Sequence, residues 1–161
     1  MGYTHCWTFK APKRGETAKV NKAYKTAIHA CQKMLIYWNE IHAHEPDQRL
    51  SGYSAHVKPG TYGGLKFNGA RENAHEDFVL REHYKQNLEP SAFNFCKTAR
   101  KPYDVPVTAC LAILKHYLGD YIELSTDGKT ADWSQGVGLA KAALNNLKIK
   151  NPLGTGLRNV S

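Results

Sequence analysis

Tyr3, His5, Trp7 and Phe9 alternate with Thr4, Cys6 and Thr8, a period of two that predicts a half-buried strand with one aromatic-lined face. After the APKRG turn the period changes. From about Glu16, Val20, Tyr24, Ile28, Cys31, Leu35, Trp38 and Ile41 recur every three or four residues, which predicts a long amphipathic helix ending near His44, before Pro46. Lys19, Lys22, Lys25 and Lys33 fall on its other face and read as solvated. Between Asp47 and Gly64 periodicity fades into Ser, Gly, Pro, His and Tyr. That composition predicts irregular structure, and a loop this long in a compact domain is often functional.

Leu65, Lys66 and Phe67 begin a strand that reaches Asn68-Gly69, and His75 to Glu82 reads as its return partner. A wide polar loop holding Arg71, Glu72 and Asn73 joins the two. Phe93 to Lys97 supplies another strand. The stretch from Val105 to Leu118 is apolar nearly all round and stops at Gly119, as a central buried helix with a left-handed cap does. Tyr121 to Ser125 alternate as a strand, and Thr126-Asp127-Gly128 turns it. Asp132 with Gln135 three positions on is a capping-box-like start for a last helix through Leu147. Gly136 and Gly138 each lower its propensity by about 1 kcal/mol relative to alanine. The predicted fold is a single α+β domain over residues 1–150, with a mainly antiparallel sheet covered on one face by a long N-terminal helix, a buried central helix and a C-terminal helix. Residues 151–161 form a loosely held tail.

Charge alters this picture more than composition does. Across 161 residues, 42% hydrophobic and 22% charged are ordinary globular values, but 22 Lys and Arg against 14 Asp and Glu give a net charge of +8. An anionic partner is expected. No basic run of five or more occurs, so the charge belongs to a folded surface or pocket rather than to a disordered arm. Cys6, Cys31, Cys96 and Cys110 show no CxxC or zinc-finger spacing. With no signal-peptide pattern and no long apolar run, the expectation is a reduced, soluble, cytoplasmic protein with no membrane association.

Candidate chemistry concentrates in FNFCKTARKPYD, residues 93–104, where a strand end, Lys97, Arg100 and Lys101, and a helix N-terminus capped by Asp104 together suggest an anion site. Upstream, Arg71, Glu72, Asn73, His75 and Glu76 gather acid, base and amide within six residues. His75 and Glu76 are a candidate acid–base pair, although neighbours in a strand point to opposite faces. Tyr3 and Trp7 are candidates for stacking on a base, and His5 is a polar group in their apolar face. HExxH, GxSxG and GxxxxGK[ST] are all missing, so no metal or other cofactor is expected.

The N-terminal GYTHCW, the central FNGARENAHEDFVLRE and the later FCKTARKPYDVPVTACLAILKHYLGD together resemble a family of small phage and bacterial proteins whose members typically open with GYTHYW. This chain carries Cys6 where that family usually has tyrosine. The resemblance implies a phage or prophage context, hence a bacterial host cytoplasm, and phages do carry small basic proteins that bind or destroy the nucleotide signals of host immunity.

The function expected from these features is a pocket protein for an anionic, nucleotide-type small molecule, such as a sponge for an immune signalling nucleotide. Phosphate is expected at Lys97, Arg100 or Lys101, bases on Tyr3, Trp7 or Tyr103 beside His5, and polar edges at Asn68, Arg71, Glu72 or Asn73. A homo-oligomer is expected to complete the pocket. Two alternatives remain. One is a nucleotide-cleaving phosphodiesterase or lyase with His75, Glu76 or His5 as acid–base groups. The other, less favoured, is a basic nucleic-acid- or protein-binding inhibitor of a host factor.

Overall fold

The computed structural model describes residues 3–51, 64–89, 94–145 and 147–154. In chain order the elements are β1 (Thr4–Phe9), α1 (Thr17–Ile41), β2 (Leu50–Ser51), β3 (Leu65–Gly69), β4 (Phe78–Leu80), β5 (Asn94–Lys97), α2 (Asp104–Leu118), β6 (Ile122–Thr126) and α3 (Thr130–Ala143). The α+β class and the antiparallel pairing follow the sequence pattern. The strands, however, divide into two small three-stranded sheets, β5-β1-β6 and β2-β3-β4, where one sheet was expected.

In the first sheet β1 is the central strand, and its alternation sets the two faces. His5 and Trp7 are buried on the inner face, where His5 pairs with Cys96 and Thr126 and Trp7 with Leu124. On the outer face Thr4 lies opposite Lys97, and Cys6 sits between Phe95 and Ser125. Trp7 reaches the second sheet, with its ring centroid 5.0 Å from that of Phe78. A shared aromatic layer therefore joins the sheets.

Ten of the 15 residues of α2 are buried. This helix packs against both α1 and α3, so it needs apolar side chains all round, as its sequence has. Gly136 permits the close approach of α3: a Cβ there would collide with Thr108 Oγ1 and stand 2.8 Å from the Ala109 nitrogen. The glycine that lowers helix propensity thus sits where α2 and α3 touch.

Several expected boundaries shift for identifiable reasons. The strand predicted over His75–Glu82 shrinks to β4 because the Asn68 side chain takes the backbone of His75, with Nδ2 donating to His75 O at 3.0 Å and Oδ1 accepting from His75 N at 2.9 Å. Helix α3 begins two residues before Asp132, which accepts from the Lys129 backbone N–H at 2.7 Å, and it ends at Ala143, short of Leu147. The expected irregular stretch contains β2, and its residues 52–63, like Phe93, lie outside the described residues. Asn151 donates to Thr130 O at 3.0 Å, so the start of the expected loose tail is tied to α3. Residues 155–161 lie outside the described residues.

Candidate functional site

Between β5 and α2 the chain makes two consecutive turns, closed by Lys101 N–H donating to Thr98 O at 3.0 Å and Asp104 N–H donating to Lys101 O at 2.8 Å. In the first, Ala99 and Arg100 have φ of 51° and 57°. Side chains rarely adopt that left-handed region, at a cost of about 1–2 kcal/mol per residue. The third non-glycine residue with positive φ among the described residues is Arg71, at 54°. All three therefore fall in the two segments that the sequence marks as polar and cationic.

The strained turn is held from below. Thr98 N–H donates to Tyr3 O at 3.1 Å and Thr98 Oγ1 to Asp104 Oδ1 at 2.6 Å. Arg100 arches over the Tyr3 ring, its Cζ 4.0 Å from the centroid, and places NH1 3.2 Å from Asp132 Oδ1. Arg100 thus reaches the N-terminal strand, and Lys97 lies opposite Thr4 of it. Among the described residues Lys97 and Lys101 form no ion pair, whereas the guanidinium of Arg100 is shared between Tyr3 and Asp132.

The 68–77 loop grips the same strand end. Nδ1 of His75 donates to Lys97 O at 2.7 Å, and Glu76 Oε2 accepts from Lys97 N–H at 2.8 Å. Tyr103 closes the junction from the other side, donating to Glu76 O at 2.7 Å. The His75 Nδ1–H bond to Lys97 O fixes the imidazole ring and leaves Nε2 as its second nitrogen, on an exposed side chain. Glu76 is committed to the Lys97 backbone and does not pair with His75. The two form no dyad, because neighbouring side chains each take one end of the same peptide backbone.

The other predicted polar readers build the loop. Asn68 bonds His75 and Asp77, Arg71 NH1 lies 3.0 Å from Asp47 Oδ1, and Asn73 Nδ2 donates to Asp47 O at 2.7 Å. Glu72 is exposed in the 3-10 turn Arg71–Asn73.

The expected aromatic stackers are core residues. Tyr3, Trp7 and Tyr103 are 4%, 2% and 1% exposed, so packing occupies their ring faces. Burial, reinforced by Asp104 and Asp132, pushes the Tyr3 hydroxyl up to about 12. Among the described residues Phe95 is the exposed Phe, Tyr or Trp, at 40%, and it shares the outer face of β5 with Lys97. Sequence reasoning passed it over by following the N-terminal aromatics, although Phe95 and Lys97, two apart in a strand, must share a face.

His5 is fully buried. Asp104 accepts hydrogen bonds only, so His5 Nε2–H donates to Asp104 Oδ1 at 2.6 Å, and Nδ1 meets Thr126 Oγ1 at 2.8 Å. With both nitrogens engaged inside the protein, His5 is a structural tie and not an exposed acid or base. Asp104 therefore does not cap α2 as expected. The first N–H groups of that helix are also taken: Asp104 and Val105 donate to the carbonyls of Lys101 and Pro102, Val107 donates to Tyr103 O, and Pro106 has none. Cations without a helix terminus are what remains of the predicted anion site.

Burial, the largest influence on each, raises the Cys6 thiol and pushes Cys96 up to about 12, so neither is an activated nucleophile. Among the described residues no three His, Cys, Asp or Glu side chains gather as metal ligands, and no helix is long and apolar enough to cross a membrane. Comparison with known proteins gave no matching family model, no matching curated protein and no matching solved structure.

Proposed function

We propose that the protein binds an anionic, nucleotide-type small molecule on the platform made by the outer face of β5, the 97–101 turn and His75, and that it holds the ligand without converting it. The observation behind this is the strained turn, which sets two lysines without ion pairs beside an oriented histidine and an exposed aromatic ring. Backbone strain in a cationic turn is characteristic of ligand clamps. Phosphate meets Lys97 and Lys101, and the base stacks on Phe95 instead of the buried Tyr3, Trp7 or Tyr103. Sequestration suits a site in which Glu76 is spent on the backbone and His5 is enclosed. Because the platform is open, a second copy of the chain completes the pocket. The resemblance to phage proteins makes a sponge for an immune signalling nucleotide the specific form of this function.

Mass spectrometry of purified protein, native and then denatured, after incubation with cyclic dinucleotides and ADP-ribose derivatives tests the proposal. An intact nucleotide recovered from an oligomer is the expected result. Lys97→Ala and Lys101→Ala should each weaken binding about tenfold, the equivalent of about 1.5 kcal/mol for a hydrogen bond to a charged group. A cleaved nucleotide points instead to an enzyme using His75, and His75→Ala should then bind without cleaving. No bound nucleotide, together with nucleic-acid affinity that falls steeply with salt, points to the basic-surface alternative.

A further inference from the structure

Beyond the far end of β1, a cleft of about 640 Å³ separates α1 from the 3-10 turn Tyr84–Leu88, lined by Lys22, Lys25, Glu82, His83, Tyr84 and Lys85 among others. It is anchored to the strand end, since Tyr84 OH donates to Lys10 O at 2.6 Å. The six residues of β1 place it on the order of 20 Å from the Lys97 turn.

We propose that this cleft is a second anion site, for a small molecule carrying two or more adjacent phosphate groups. Its volume falls in the range of about 300–1,000 Å³ typical of small-molecule pockets. Lys22 and Lys25, three apart on α1, occupy one face of the helix at neighbouring positions, and Lys85 belongs to the opposite wall. Three lysines and His83 thus line the cleft against a single carboxylate residue, Glu82, which lies 3.9 Å from His83. None of the three lysines forms an ion pair among the described residues. Like charges drawn together from two elements repel, and a polyvalent anion between them removes that repulsion.

Tyr24 lines the cleft but already donates to Arg81 O at 2.6 Å. Burial pushes the Tyr84 hydroxyl up to about 12, so no phenolate opposes the anion.

Calorimetric titration of the full chain with inorganic tripolyphosphate, at two salt concentrations, tests the site. Saturable binding at two sites is expected: Lys22→Ala/Lys25→Ala should weaken one of them about 100-fold and retain the other, and Lys97→Ala/Lys101→Ala should retain the cleft site. Alanine favours helix at both α1 positions, and an unchanged circular dichroism spectrum checks that the variant is folded. Absence of saturable binding, a Lys22→Ala/Lys25→Ala variant that binds as the parent does, or a loss confined to the 97/101 variant would each overturn the proposal. The last outcome would assign phosphate to the turn alone, so the two sites stand or fall separately.

Discussion

His5 and Asp104, 99 residues apart in the chain, meet through Nε2 and Oδ1 at 2.6 Å. The same oxygen accepts from Thr98, and Thr126 closes on the other ring nitrogen. The carboxylate therefore ties β1, the strained turn and α2, and the imidazole extends the link to β6. Removing it in Asp104→Ala leaves the His5 N–H and the Thr98 hydroxyl buried without an acceptor, at about 1–3 kcal/mol each. Asp104→Asn keeps an acceptor oxygen in the same place. Denaturant unfolding should therefore show a loss of about 2–5 kcal/mol for the alanine variant and a clearly smaller one for asparagine. Equal losses would mean that the carboxylate oxygen is not what the two donors need.

Gly136 and Gly138 are alike to a propensity scale and opposite in their surroundings. Gly138→Ala meets no atom within 4 Å and should stabilise the protein by about 0.5–1 kcal/mol. Gly136→Ala forces α3 away from Thr108 and should destabilise it by about 1–3 kcal/mol. Thermal unfolding of the two single variants separates them by sign.

Cys31, Cys96 and Cys110 are fully buried, whereas Cys6 is partly exposed on the outer face. A thiol reagent should therefore modify one cysteine per native chain. The rate should stay low at neutral pH, because burial and then Asp127 raise the Cys6 pKa. Bound nucleotide should slow this labelling, since Cys6 pairs with Phe95 and adjoins the proposed platform. Rapid labelling of two or more thiols would contradict the packing.

Position 6 also offers a gain-of-function test. Cys6 lies on the outer face of β1, opposite Phe95. Cys6→Tyr adds a second ring to the stacking surface and should tighten nucleotide binding by about tenfold or more, from a stacking contribution of about 1–3 kcal/mol. Unchanged affinity in titration would place the base elsewhere.

Asp132 is held below its usual carboxylate range chiefly by the Lys129 N–H and then by Arg100. A depressed folded pKa contributes stability that is present above the unfolded value of about 4 and is lost as pH falls through the folded one. Asp132→Asn should therefore unfold with a shallower dependence on pH below about 4 than the parent protein. Parallel curves would show that these contacts do not favour the ionised carboxylate.

The elements themselves were legible because periodicity is local. The β1 alternation, the α1 stripe, the all-round apolar α2 and the Gly119 stop each depend on neighbours within a few positions. The cationic turn and the 68–77 loop were legible as composition. Only tertiary structure brought them to the same residue, Lys97, through His75, Glu76 and Tyr103. It also decided which face of β1 is core. Period two says that Tyr3, His5 and Trp7 share a face but not whether helices or solvent cover it, so the proposed stacking role moves to Phe95. Asp104 shows the same limit: a carboxylate ahead of an apolar run reads as a helix cap until a buried histidine from the other end of the chain offers a stronger partner. Register, two sheets in place of one, and the cleft between α1 and Tyr84–Leu88 all depend on contacts between distant segments, which no local pattern encodes.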